Sequence, residues 1–183
     1  MRIISGKLKG RRLLSFKAGH LRPTTDRVKE VIFNKLMMNI NGADVLDLFA
    51  GTGNLSIESY SRGAERIVAV EKSSKSVSII KANLSELKIT DEIKVLPVDV
   101  FGFLRKTEES PFDIILVDPP FTQKLADKVM TAISESKVCA PDAIIVIEST
   151  KHEAIADCYS SLKLVDRKDY GDKFLSFFKN EGE

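Results

Sequence analysis

Between Ala43 and Glu148, short runs that are almost wholly apolar alternate with segments of helical periodicity. ADVLDLF, RIVAVE, EIKVLPVD, FDIILVD and AIIVIE read as strands, and GNLSIESYSR, SSKSVSIIKANLSEL, VFGFLRK and QKLADKVMTAISES read as the helices between them. A strand with no polar face needs cover on both sides, and a helix after each strand supplies it. The alternation therefore predicts an α/β fold with a parallel sheet covered on both faces. The closing LKLVDRKDYGDKFLSFFKN breaks the pattern, because two strand-like runs flank YGDK with no helix between them. It reads as an antiparallel hairpin on the sheet edge. Ahead of the sheet, RPTTDRVKEVIFNKLMMNI reads as a helix capped by Thr24 or Thr25, with Val28, Val31, Ile32 and Leu36 on one face.

The segment before that helix differs in charge. Residues 1–30 hold nine Lys/Arg against Asp26 and Glu30, a balance of +7; of 28 bases and 26 acids in all, 19 and 24 remain elsewhere, a balance of −5. A basic arm on an acidic body is the arrangement expected where the arm meets a polyanion and the body does something else. The bases interleave with Ile3, Ile4, Leu8, Leu13, Leu14 and Phe16, and Gly6 and Gly10 supply turns, so the arm reads as a short β-ribbon able to present bases along one face. The 183 residues suit one domain with a small appendage, drawn here as 1–40 for the basic extension and 41–183 for the sheet. No apolar run approaches membrane-spanning length, and MRIISGKLKGRRLLSFK is too basic for a signal-peptide core. Cys139 and Cys158 stand without a disulfide framework, which suits a reducing cytoplasm. His20 and His152 read as surface residues, and no His/Cys/Asp cluster has metal-ligand spacing.

In an open parallel sheet, ligands sit at the carboxyl ends of the strands. The first such end gives DLFAGTGN, where Gly51 and Gly53 permit a tight turn and leave the N–H groups of the next helix open to an anion. Glu71, 18 residues past Gly53, ends the next strand and is suited to ribose hydroxyls. A nicotinamide site would want Gly or Ala at the third place of G-x-G-x-x-G/A, and Ser56 stands there. S-adenosylmethionine carries a carboxylate, an ammonium, a ribose and an adenine, for which Gly51 to Asn54, Asp47 and Glu71 offer partners. At the third strand end, Asp99 is placed to accept from the adenine amino group beside Val100 and Phe101, or to cap VFGFLRK, or both.

The fourth strand end, DPPF, needs more than a strand stop to account for it. An exocyclic base amine is a poor nucleophile because its lone pair is delocalised into the ring. Asp118 and the Pro119 carbonyl offer two acceptors for its hydrogens; Pro119 and Pro120 preset the backbone, and Phe121 can stack on the base.

Taken in this order and spacing, VLDLFAGTG, VEKS, PVD and VDPPF resemble the class I S-adenosylmethionine-dependent methyltransferases, within the D/N-P-P-Y/F branch that methylates planar amino nitrogens. MRIISGKLKGRRL, LRPTTDRVKEVIFNKL, LDLFAGTGNLSIESYSRGA and the terminal YGD.FLSFF extend the likeness over nearly the whole chain to the bacterial 16S ribosomal RNA (guanine-966-N2)-methyltransferase family. That resemblance implies a Rossmann-like seven-stranded sheet, mostly parallel with a C-terminal antiparallel hairpin, in a monomeric cytoplasmic enzyme. It places the cofactor loop on Asp47, Phe49, Ala50, Gly51 and Gly53, the ribose acid on Glu71, the adenine side on Asp99 and Val100, and the catalytic tetrad on Asp118, Pro119, Pro120 and Phe121. Arg22, Pro23, Thr24 and Arg27 match the family's RPT-DR motif beside the catalytic pocket. With Arg2, Lys7, Lys9, Arg11 and Arg12 of the ribbon, Arg22, Thr24 and Arg27 form the expected RNA-holding set.

Two positions depart from the family pattern. Lys173 stands where Thr is frequent after YGD, and the tetrad ends in Phe rather than Tyr. The implied activity is methyl transfer from S-adenosylmethionine to the N2 amine of a guanine in 16S ribosomal RNA, on a ribosomal particle rather than free RNA. DNA adenine-N6 and cytosine-N4 methyltransferases share the tetrad, but usually carry a target-recognition domain for which 183 residues leave no room. A nicotinamide oxidoreductase is disfavoured by Ser56. An RNA-binding chaperone that kept the fold and lost the chemistry is disfavoured by the complete DPPF.

Overall fold

The computed structural model describes residues 1–15 and 26–182. Five strands, β1 (Asp44–Leu48), β2 (Arg66–Val70), β3 (Lys94–Leu96), β4 (Phe112–Val117) and β5 (Cys139–Thr150), run parallel because both their faces are apolar. Val45, Ile67, Ala69, Leu116 and Val146 face one core, and Leu46, Val68, Val70, Val117 and Ile147 face the other. The first core is closed by α1 (Asp26–Lys35), α2 (Asn54–Ser61) and α3 (Ser74–Glu86), the second by α4 (Val100–Lys106) and α5 (Ala126–Ser134). The closing segment forms β7 (Leu162–Tyr170) and β8 (Lys173–Asn180), an antiparallel hairpin whose second strand pairs with β5. The expected mostly parallel sheet with its C-terminal hairpin is present, joined by a two-residue edge strand, β6 (Cys158–Tyr159). That eighth strand is anchored by the Tyr159 hydroxyl, which donates to Asp127 at 2.6 Å.

The strand order is β3-β2-β1-β4-β5-β8-β7-β6. From β1 the chain builds outward through β2 and β3, then returns to the other side of β1 for β4. The order reverses between β1 and β4, so a crevice opens outside their carboxyl ends. Two strands differ in length from the sequence pattern. Only Lys94–Leu96 of EIKVLPVD pairs, since Pro97 offers no N–H to a ladder. β5 begins before AIIVIE, because Phe112 pairs with Cys139 and an irregularity then carries Ile114 to Ile144.

The basic arm is a ribbon, closed by the Arg2–Arg12 antiparallel bridge and by the Ile3 N–H donating to the Arg11 carbonyl at 2.9 Å. It buries Ile3 and Leu13 in the first core. Gly6, at φ +80, lies so close to α2 that a Cβ would sit 1.7 Å from the Ser61 carbonyl oxygen; only glycine permits this approach. The ribbon explains why α2 is buried nearly all round despite its polar sequence. On α1, Ile32 enters the core and Val28 and Val31 pack against it, as the periodicity predicts; the helix stops at Lys35, short of the expected run to Ile40, and Leu36 is buried in the turn that follows. Lys29 is wholly buried beside them, which periodicity does not foresee. Thr24 and Thr25, the expected caps, lie outside the described residues, as do Arg22, Pro23 and His20.

Candidate active site

The loop after β1 is shaped by three left-handed residues, Phe49 (φ 63), Gly51 (φ 56) and Gly53 (φ 78). A side chain at Gly53 would crowd Ile80, with a Cβ 3.3 Å from its Cγ2. Gly53 is also the N-cap of α2 and, as glycine, offers no side chain to cap it, so the first turn presents the positive end of its dipole to the crevice, with the Ser56 N–H taken by Asp47. The loop is tied from below by the Ala50 N–H donating to the Val70 carbonyl at 3.1 Å. Glu71 completes it: one carboxylate oxygen accepts from the Gly51 N–H at 2.9 Å and the other from the Ser73 N–H at 2.7 Å. The residue expected to meet a ribose thus also fixes the glycine turn, and each oxygen keeps a second lone pair for a ligand.

Asp47 is 1% exposed and accepts from both the Ser56 N–H (3.0 Å) and the Ser56 hydroxyl (2.5 Å). Burial pushes its carboxyl up to about 7 against the opposing Ser56 bonds, and the neighbouring charges of Asp118 and Glu71 push the same way. Acids from the ends of β1, β2 and β4 therefore sense one another. Their summed field favours a cation between them, and a buried carboxyl near neutrality is a frequent mark of a functional site. Ser56, which argued against a dinucleotide by its position, serves the fold by orienting Asp47.

Asn54 opens α2 with its Oδ1 accepting from Lys29 Nζ at 2.9 Å, while its Nδ2 is buried and without a hydrogen-bond partner among the described residues. A buried unpaired donor beside a helix N-terminus suits a carboxylate. The Gly51 and Gly53 N–H groups are taken by Glu71 and by the Ala50 carbonyl, so the start of α2, this amide and the converging acids are what fit a ligand carrying a carboxylate, a cation and a ribose, as S-adenosylmethionine does. Asp99 accepts from the Gly102 N–H at 3.0 Å and so caps α4, and it stays exposed enough to serve a ligand as well. The Val100 side chain is buried in the second core, so what it can offer a ligand is its backbone.

Across the crevice, the Asp118 N–H reaches the Leu48 carbonyl at 3.5 Å, which holds the start of DPPF against the end of β1. Pro119 is buried, and Phe121 opens a single 3-10 turn, Phe121–Gln123, closed by the Gln123 N–H on the Pro120 carbonyl at 3.0 Å. The Lys173 ammonium sits over the Phe121 ring, 3.6 Å from its centre, and pairs with Glu148 at 2.5 Å. The hairpin position that departs from the family pattern thus lies against the last residue of the tetrad.

Of the expected RNA-holding residues, Arg2, Lys7, Lys9, Arg11, Arg12 and Arg27 are exposed. Arg2 pairs with Asp26 at 2.9 Å and Lys7 lies 3.4 Å from the centre of the Tyr60 ring. Arg22 and Thr24 lie outside the described residues. Sequence reasoning missed the network beneath the ribbon. Glu58, buried on α2, accepts from the Ile4 and Ser5 N–H groups, from Lys29 Nζ at 3.0 Å and from Arg62 Nε at 2.8 Å. Burial lowers the Lys29 ammonium's pKa, with Glu58 opposing. Glu148 was missed although it ends AIIVIE as Glu71 ends RIVAVE; the same strand-end signal would have found it. Among the described residues no group of His, Cys, Asp and Glu could hold a metal ion.

The family described as "Conserved hypothetical protein 95" matches residues 1–179. Ribosomal RNA small subunit methyltransferase D of Haemophilus influenzae is 36% identical over 85% of this chain and 81% of its own length. The Escherichia coli protein of that name is 31% identical over 100% and 91%. The solved structure of yhhF from Escherichia coli superposes with a TM-score of 0.87 at 31% identity, covering 100% of this chain and 99% of its own.

Proposed function

The chain belongs to the Conserved hypothetical protein 95 family and is an S-adenosylmethionine-dependent ribosomal RNA methyltransferase, and on that premise we propose that it methylates the exocyclic N2 of a guanine in 16S ribosomal RNA, the guanine-966 type. The observation that carries this reading is the position of Asp118: it directly follows β4 at the switch point, within the field of the acids that suit the cofactor. When bound, S-adenosylmethionine supplies a methyl group on a sulfonium that leaves as a neutral thioether. Gly51, Gly53 and Asn54 meet its carboxylate, Asp47 its ammonium, Glu71 its ribose, and Asp99 with the Val100 backbone its adenine.

The protein places the amine and stabilises the charge it gains. The Asp118 carboxylate and the Pro119 carbonyl accept the two amine hydrogens, which turns the nitrogen lone pair out of the ring plane and toward the methyl group. Positioning of this kind supplies roughly 7–11 kcal/mol of barrier reduction. After the N–C bond forms, the alkylated amine is acidic and its surplus proton passes to water. Phe121 stacks on the base, which leaves its own stack at a cost of roughly a few kcal/mol. The extension 1–40 offsets that cost through phosphate contacts from Lys7, Lys9, Arg11, Arg12 and Arg27, with Arg22 and Thr24 in the same segment. We place the enzyme in the cytoplasm as a monomer acting on a ribosomal particle; among the described residues no helix is long and apolar enough to cross a membrane.

The test is methyl transfer from labelled S-adenosylmethionine to unmodified small ribosomal subunits, followed by nucleoside analysis. Label is expected in N2-methylguanosine. Label in adenine or cytosine, or only when DNA is offered, overturns the assignment.

A further inference from the structure

Two side chains outside the cofactor loop and the tetrad, Glu148 and Lys173, meet Asp118 of the tetrad at the Phe121 corner, and their order is informative. Leu116 pairs with Val146 and Val117 with Ile147, so the same register carries Asp118 beside Glu148 on neighbouring parallel strands, about 4.8 Å apart in backbone. Leu116 and Val146 face the first core, so alternation turns Asp118 and Glu148 to that same face. Both line a cavity of about 10 Å³, room for a single water, closed by Ile32, Leu55 and Leu175. β8 is the next strand, and Lys173, two residues before Leu175, shares the face. Glu148 pairs directly with Leu175 and Thr150 with Lys173, so Lys173 reaches Glu148 on the diagonal and the row carboxylate, carboxylate, ammonium bends at β8 toward the carboxyl end of β5.

Glu148 is 5% exposed. Its Oε1 accepts from Lys173, while its Oε2 is buried with no hydrogen-bond partner among the described residues. A buried carboxylate oxygen without a donor carries a desolvation cost that a donor from a ligand would remove. The Watson–Crick edge of guanine presents, in line, the N2 amine, the N1–H and O6: donor, donor, acceptor.

Resting on the functional reading above, we propose that Asp118, Glu148 and Lys173 together read that edge, with Asp118 on N2, Glu148 Oε2 on N1–H and the Lys173 ammonium on O6. A base that stacks on Phe121 displaces the ammonium from the ring face, and the Glu148 pairing keeps it at the base's edge. The row also rejects the other amine-bearing bases. Adenine and cytosine carry a lone pair at the ring nitrogen next to their amine, and this lone pair would face the Glu148 carboxylate with no proton between them. Guanine is thus selected by a repulsion as well as by bonds.

The experiment uses small subunits reassembled with 2-aminopurine at the guanine that nucleoside mapping identifies. This analogue keeps the N2 amine, replaces N1–H by a lone pair and lacks O6. The wild-type enzyme should lose roughly 10²-fold or more in kcat/KM on the analogue. In Glu148→Gln the carboxamide can donate to the ring nitrogen, and the preference for guanine should shrink to within about tenfold. Lys173→Met, which leaves O6 unbound, should lose part of the same preference and serves if Glu148→Gln fails to fold. Calorimetric titration with S-adenosylmethionine checks that each variant is folded. Equal rates on guanine and 2-aminopurine by the wild type, or an unchanged ratio in both variants, would reduce Glu148 and Lys173 to a structural pair. Absence of N2-methylguanosine from the wild-type reaction on ordinary subunits would instead strike at the functional reading itself.

Discussion

The two sides of the strand-end crevice are built from different kinds of sequence information. On the side proposed for the cofactor, partners are close along the chain: Asp47 is held by Ser56, and Gly51 by Glu71. On the base side, Asp118, Glu148 and Lys173 come from three strands and meet only because β4, β5 and β8 are neighbours. The carboxylate and ammonium of a cofactor can be met within one compact strand-turn-helix unit, here β1 to α2, with Glu71 and Asp99 added from the next two strand ends. A base to be discriminated needs groups from several directions, which local sequence cannot supply.

The difference can be tested by damage. The largest effect is expected from Asp118→Ala, which should lower methyl transfer by roughly 10³-fold or more while S-adenosylmethionine binds as before in calorimetry. Undiminished turnover would remove Asp118 from the chemistry and with it the separation of the two sides. Next comes Lys29→Ala, far from the base but beneath the loop. It removes the partner of Glu58 and of Asn54, where both Lys29 and Glu58 are 0% exposed. Loss of one partner of a buried ion pair should cost about 3–5 kcal/mol in denaturant unfolding, with loss of cofactor binding following from loss of structure. A near-neutral result would mean that the ribbon amides and Arg62 alone satisfy Glu58.

The smallest effect is a pH dependence confined to the cofactor side. The Asp47 carboxyl is raised from its ordinary 3.8 to about 7, so folding favours its protonated form. Its contribution to stability is therefore fully present below the unfolded value and lost as pH rises through about 7. Binding an ammonium requires the ionised form, so affinity for S-adenosylmethionine should weaken by up to about tenfold for each pH unit below neutrality. Proton release on binding, read from calorimetry in buffers of different ionisation enthalpy, checks the same linkage. Flat affinity between about pH 5.5 and 7 would take Asp47 away from the ammonium.

Much of this protein was legible before any fold was in hand. Alternating apolar runs and helical periods determined the parallel sheet, because a strand buried on both faces leaves no polar pattern and needs helices to cover it. The YGDK break determined the terminal hairpin, and the strand-end acids and glycines pointed to the loops that lie along the crevice, because turn chemistry and strand ends are local properties. Tertiary structure decided the rest. Lys29 lies on the buried side of α1 because Glu58 and the first residues of the ribbon are there to receive it. Gly6 looked like a simple turn residue, yet its missing side chain is what lets the ribbon lie on α2. Lys173 reads in sequence as a turn lysine, and only the pairing of β8 with β5 brings it to Glu148 and the Phe121 ring. Contacts between residues far apart in the chain depend on register and strand order, and those are fixed by the packing of the whole sheet rather than by any one segment.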